Sequence, residues 1–244
     1  MSSNRLRILL VSLLAVFAVG AVASASASAA PEWNVCEEGT GAGTKFTEHK
    51  CTTVSGTGKW EWKTLVGTKK VKSKNKAGVS FVFKGEAGGV MVKMTCTVKD
   101  TGTINQVAGS AGTDEETIEF ENCVVEKPGP GLCVVTDPVT KTPGKVVVSG
   151  VETELLAGTP VKDVNKPPKH GTVFVTLEFL NKSPETCPLN GMSFPVTGTD
   201  TGLFSGNVLQ YTAASSNLKF GGHPATLEGE AELELENGWA VTAK

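Results

Sequence analysis

Five glutamates at alternate positions, Glu228, Glu230, Glu232, Glu234 and Glu236, are the densest set of chemically capable side chains in this 244-residue sequence. A spacing of two puts them on one face of an extended strand, with Leu227, Gly229, Ala231, Leu233 and Leu235 in the alternate positions. Carboxylates this close repel one another unless they are solvated, matched by lysines on a neighbouring strand or bound to a cation. Paired carboxyl groups are also the equipment of glycoside hydrolysis, in which one attacks the sugar and the other protonates the leaving oxygen. A second candidate is Trp60-Glu61-Trp62, whose indoles fall on one strand face and could form a platform for stacking a sugar or another planar ligand. Trp33 and Trp239 could extend it, or all four tryptophans of the chain could be core anchors.

The six cysteines, Cys36, Cys51, Cys96, Cys123, Cys133 and Cys187, read as three disulfides. Cys123 and Cys133 flank the turn-forming segment 126–131 (EKPGPG), and a hairpin there would set them opposite each other at about 4.5 to 5.5 Å, a span a disulfide can bridge. Cys36 and Cys51 bracket a Gly-rich loop whose closure is worth about 3 kcal/mol in the chain-entropy picture. Cys96 and Cys187 then remain to tie the two halves of the chain together. A zinc site is not expected, because no C-x-x-C spacing occurs and His49, His170 and His223 are scattered. Nothing in the sequence resembles G-x-S-x-G, a P-loop or H-E-x-x-H, so no cofactor is expected either.

The N-terminus has the layout of a secretory signal peptide. Arg5 and Arg7 precede an uncharged run over 8–23, and small alternating residues follow over 24–30. Cleavage near Ala29 leaves 30–244 secreted or at the cell surface, with no transmembrane segment after processing. Arg5 and Arg7 are the only arginines, so the processed chain carries 21 lysines against 25 acids. Without a guanidinium fork, nucleic acid is a poor partner; the sequence identifies no partner, and for an exported chain cell-wall or extracellular polysaccharide is one candidate. The lysines clustered between Lys59 and Lys76 read as a solvated edge strand and loop.

The elements that must carry these groups repeat with a period of two. Val90, Val92, Met94, Cys96 and Val98 alternate with Met91, Lys93, Thr95 and Thr97, and similar runs cover 60–65, 79–84, 117–125, 132–136, 145–151, 172–180, 192–197, 203–211 and 225–235. Only 151–157 (VETELLA) could form a turn or two of helix. About ten or more short strands without intervening helices predict an all-β fold, an antiparallel sandwich or barrel stapled by disulfides. Residues 30–244 read as a single domain, with 158–171, which contains Pro167-Pro168, as the place where it could subdivide. At 39% hydrophobic and 20% charged residues, the chain is too apolar for disorder and too polar for a multispanning membrane protein.

Two resemblances bear on function. Residues 229–234 (GEAELE) resemble the E-x-D-x-E strand of jelly-roll glucanases, which implies Glu230 as nucleophile and Glu234 as general acid/base, with Glu232 where that family has Asp. The W-x-V-C start at Trp33-Asn34-Val35-Cys36, the strand cysteines Cys96 and Cys123 and the many Gly/Thr turns resemble uncharacterised exported, β-rich bacterial proteins, a likeness that implies no activity. The expectation is an exported, non-catalytic β protein with a structural or binding role at the cell exterior. A secreted glycan-active enzyme using the Glu230/Glu232/Glu234 strand is the alternative.

Overall fold

The computed structural model describes residues 29–40, 45–169, 171–182, 184 and 186–244. The signal-peptide segment therefore lies outside the described residues, apart from Ala29. The period-two runs become strands: β1 (Trp33–Glu38), β2 (Trp60–Thr64), β3 (Gly67–Asn75), β4 (Phe81–Ala87), β5 (Val90–Gln106), β6 (Thr113–Lys127), β7 (Cys133–Thr136) and β8 (Val146–Leu156). They are followed by β9 (Lys162–Lys166), β10 (Val173–Asn181), β11 (Met192–Ser205), β12 (Val208–Tyr211), β13 (Asn217–Phe220), β14 (His223–Leu235) and β15 (Val241–Ala243). The protein is all-β: among the described residues 62% lie in strands or bridges and none in an α-helix.

Eight strands close on themselves. The order β3-β5-β6-β8-β9-β11-β12-β14 returns to β3, and every neighbouring pair is antiparallel. Of the two expected architectures the chain therefore adopts the barrel, the arrangement that removes open sheet edges. The long strands β5, β6, β11 and β14 run past this ring, and β4, β13, β10 and β7 continue the wall around their far halves. At the opposite end the small sheet β15-β1-β2 caps the barrel. Trp33 on β1 is fully buried among Ile104, Leu155 and Phe204, its ring edge-on to Phe204 at 5.6 Å and its Nε1 donating to the Thr113 carbonyl at 3.1 Å. Gly112 makes room for it, since a Cβ there would lie 2.5 Å from the indole.

Three expectations need correction. The lysine-rich β3 is not an edge strand, because it is hydrogen-bonded to β5 on one side and β14 on the other. Residues 151–157 form no helical turn; a bulge at Gly150, with φ of 70°, resets the phase of β8. The Cys123–Cys133 bridge does not form. The disulfides are Cys36–Cys51, as loop closure suggested, Cys96–Cys123 and Cys133–Cys187. The turn after β6 leads β7 away to pair with β10, so Cys133 sits opposite Asn181 and near Cys187. Cys123 stays beside Cys96 on β5, with Cα atoms 4.2 Å apart at a register shift in the β5–β6 ladder.

Two large apolar clusters fill the interior, with a smaller one of Phe81, Val98 and Ala231 beside them. One gathers Phe83, Val92, Met94, Phe179 and Phe220 in the half walled by β4, β7, β10 and β13. The other gathers Trp33, Val71, Ile104, Leu155 and Phe204 beneath the cap. Between them the barrel holds a layer of a different kind.

Candidate functional site: a carboxyl belt inside the barrel

The layer follows from strand phase. On β5 the inward series Val92, Met94, Cys96 and Val98 continues to Asp100 before returning to apolar Ile104. Residues opposite each other in an antiparallel ladder share a face. Asp100 faces Ser73 on β3, Asp114 on β6 faces Thr153 on β8, Thr153 faces Asn165 on β9, and Asn165 faces Asp200 on β11. Glu116 and Asp163, each two residues from one of these, point the same way, and Tyr211 on β12 completes the ring. Seven of the eight barrel strands thus send a polar side chain to one level, and only β14 contributes an aliphatic wall, Ala231 and Leu233. Gly102, paired with Glu116, is required by this crowding, because a Cβ there would lie 2.8 Å from that of Glu116.

Five carboxyl groups therefore share an interior in which no lysine or histidine lines the cavities. Some partners are present. The Thr153 hydroxyl donates to Asp114 Oδ1, and Asn165 Nδ2 donates to the Tyr211 hydroxyl oxygen at 3.1 Å. Others are missing: among the described residues Asp100 Oδ1, Asp163 Oδ1, Asn165 Oδ1 and both Asp200 oxygens have no hydrogen-bond partner. These are not surface groups, with Asp163 2%, Asp200 3% and Asn165 5% exposed. Ser216 and the Thr201 amide lie close to Asp200 but make no hydrogen bond of good geometry to it, the Ser216 hydroxyl being directed to the Ala225 carbonyl at 3.4 Å.

Burial decides the protonation of the belt, because a charged carboxyl in a poorly solvated interior without a counter-charge is costly. Burial pushes Asp163 and Asp200 up from 3.8 to about 7, opposed by Thr153 for the first and by Ser216 and the Thr201 amide for the second. It raises Asp114 and Glu116 well above the usual carboxylate range, reinforced by the neighbouring acids, and raises Asp100 against hydrogen bonds with Glu116 and Ser73. Glu116 keeps some accessible surface, but it lines the internal cavity, so its carboxyl is still screened from bulk water. Tyr211 is pushed up for the same reason, first by burial and then by Glu116 and Asp163.

The belt borders an apolar hollow of about 70 Å³, lined by Phe81, Phe83, Phe120 and Phe174 among others, with Asn165 and Asp200 as its polar end. A smaller hollow of about 40 Å³ lies amid Asp100, Asp114, Glu116 and Asp163. The two share Phe81, Ile118, Phe120, Asn165 and Leu227 as a common wall. Among the described residues no three His, Cys, Asp or Glu side chains converge as a metal ion requires.

The residues singled out from the sequence lie elsewhere. The β14 glutamates occupy the outer face of the barrel and are matched by lysines: Glu228 by Lys84 at 2.7 Å, Glu230 by Lys76 at 2.6 Å, Glu234 by Lys50 at 2.6 Å and Lys72 at 3.4 Å, and Glu236 by Lys70 at 3.6 Å. Glu232 faces Lys74 across the β14–β3 ladder. The hydrogen bond from Lys50 holds Glu234 below the usual range. Trp60 and Trp62 are half-buried against the Cys36–Cys51 bridge, Phe46 and Ala240. Trp60 packs edge-on to Trp239 at 5.5 Å and near His49 at 5.8 Å, so these rings do not form a single flat surface.

No family model matches the chain, and neither a curated protein nor a solved structure matches it. The belt escaped sequence reading because its acids sit in strands that are polar on both faces, as in Lys99-Asp100-Thr101. One signal was present: extending the apolar phase from Val98 lands on Asp100, and extending it back from Phe204 through Gly202 lands on Asp200.

Proposed function

We propose that this chain is exported and acts outside the cytoplasm as a non-catalytic binding protein, and that the barrel interior, rather than its outer surface, takes the ligand. The observation that carries this reading is the junction of the two interior environments, where unpartnered acceptors of Asp200 and Asn165 end a hollow otherwise walled by aromatic and aliphatic side chains. An apolar pocket with a few convergent polar groups is the usual form of a small-molecule site. Three disulfides suit an oxidising compartment, and no described helix is long and apolar enough to cross a membrane. Glycan hydrolysis by Glu230 and Glu234 is less well supported, since both carboxylates are engaged by lysines on the outer wall. Stacking of polysaccharide at Trp60 and Trp62 meets the same difficulty, as both rings are engaged in packing.

The test is thermal unfolding of the disulfide-intact protein with small apolar-bodied molecules bearing amine, alcohol or carboxylate heads. Ligand that binds only the folded state raises the melting temperature progressively with its concentration. At least one head group is expected to do so, and Val175→Phe, which fills the aromatic hollow, is expected to remove the effect. No rise with any of them overturns interior binding, and retention on polysaccharide that disappears in Trp60→Ala/Trp62→Ala would move the function to the outer surface.

A further inference from the structure

We propose that the ligand is an organic monocation, a primary ammonium seated on Asp200 and Asn165 with its apolar body in the aromatic hollow; this rests on the interior-binding reading and names the ligand class. At the polar end of that hollow three acceptor atoms receive no hydrogen bond of good geometry, Asp200 Oδ1, Asp200 Oδ2 and Asn165 Oδ1, although the Ser216 hydroxyl and the Thr201 amide lie close to Asp200. A primary ammonium carries three N–H donors and no acceptor, the complement of that set. An alcohol offers one donor, and a carboxylate offers none while adding a further negative charge to a chamber that already holds five carboxyl groups. A metal ion is a poorer match, because among the described residues no three ligating side chains come together, whereas an ammonium needs only separate hydrogen bonds to oxygens. The phenylalanine rings suit both ends of such a ligand, through burial of its carbon chain and through attraction of the cation to a ring face.

Burial raises the belt's carboxyl groups, so that without a counter-charge they hold protons. A bound cation supplies that counter-charge: the ammonium nitrogen keeps its three hydrogens, the Asp200 carboxyl becomes a carboxylate, and the displaced proton leaves to solvent. No bond between heavy atoms forms or breaks. Protons and ammonium therefore compete for the same oxygen, and affinity must fall as pH falls.

The experiment is titration calorimetry on the disulfide-intact protein with n-butylammonium, n-butanol and butyrate, in two buffers of different ionisation enthalpy. Only n-butylammonium is expected to saturate a single site, releasing a fraction of a proton at pH 7, with affinity at least about tenfold weaker at pH 5 than at pH 8. Asp200→Asn is expected to weaken it by about tenfold or more and to abolish the proton release. Proton release by the unaltered protein is an independent readout that does not depend on the variant folding. Equal binding of n-butanol, or ammonium binding without proton release, overturns the cation assignment and leaves interior binding standing. Unchanged affinity in a folded Asp200→Asn overturns the seat. Absence of binding by all three probes overturns the cation assignment and interior binding together.

Discussion

The inner and outer faces of the same barrel wall use carboxyl groups in opposite ways. On the outside of β14, Glu230 and Glu234 each meet a lysine at 2.6 Å, and Glu234 is held below its ordinary range by Lys50. On the inside, Asp163 and Asp200 meet no lysine among the described residues, and burial lifts both to about 7. The residue chemistry is shared, and the difference lies in which side of the pleat each side chain occupies. Lysines on β3 and β4 pair with the outer groups and lace β14 to those strands. The inner groups are conditional anions, charged only when the pH is high or when something positive shares the chamber.

That contrast predicts opposite responses to pH, and the inner face should dominate. An acid whose folded-state pKa is raised stabilises the fold fully below its unfolded value, and the contribution is lost as pH rises through the folded value. For Asp163 and Asp200 the window runs from 3.8 to about 7, and the change is roughly 4 kcal/mol per group at most. Glu234 works the other way, its contribution being present above 4.5 and lost as pH falls below it. Denaturant unfolding of the disulfide-intact protein should therefore show greater stability at pH 5 than at pH 8. A stability flat across that range would erase the distinction between the faces.

Single substitutions sharpen it. Asp163→Asn removes one titrating group from the chamber, so the loss of stability between pH 5 and pH 8 should shrink by about 2 to 3 kcal/mol, measured by the same unfolding curves. Thr153→Val takes away the hydroxyl that donates to buried Asp114 and should cost about 1 to 3 kcal/mol at pH 5, because an acceptor is left unmatched in the interior. On the outer wall, Glu230→Gln breaks the Lys76 pair and should change stability by less than about 1 kcal/mol. The smallest effect is that of salt: raising ionic strength should weaken the outer pairs slightly and leave the pH 5 to pH 8 difference intact, as screening barely reaches a buried group.

The sequence made some of this legible and hid the rest for a physical reason. Alternation in runs such as Val90 to Val98 identifies strands, because pleating alone produces period two. It does not say which phase faces inward once both phases are polar, and β9, in Lys162–Lys166, has too little apolar character to stand out within the 158–171 segment. The glutamate face of β14 was conspicuous because its opposite phase is strongly apolar, which is also why it lies outside. The Cys36–Cys51 bridge was readable from a local loop, whereas Cys96–Cys123 and Cys133–Cys187 depend on which strands become neighbours.

The central claim, that the barrel wall separates lysine-paired carboxylates from conditional ones, is tested most directly by carbon NMR titration of the aspartate and glutamate carboxyl resonances in the folded protein. Assigned signals of Asp163 and Asp200 should titrate with midpoints near 7, and that of Glu234 below 4.5. If the Asp163 and Asp200 signals instead titrate in the ordinary carboxylate range, at about 4, the interior is hydrated or charge-compensated and the account is contradicted.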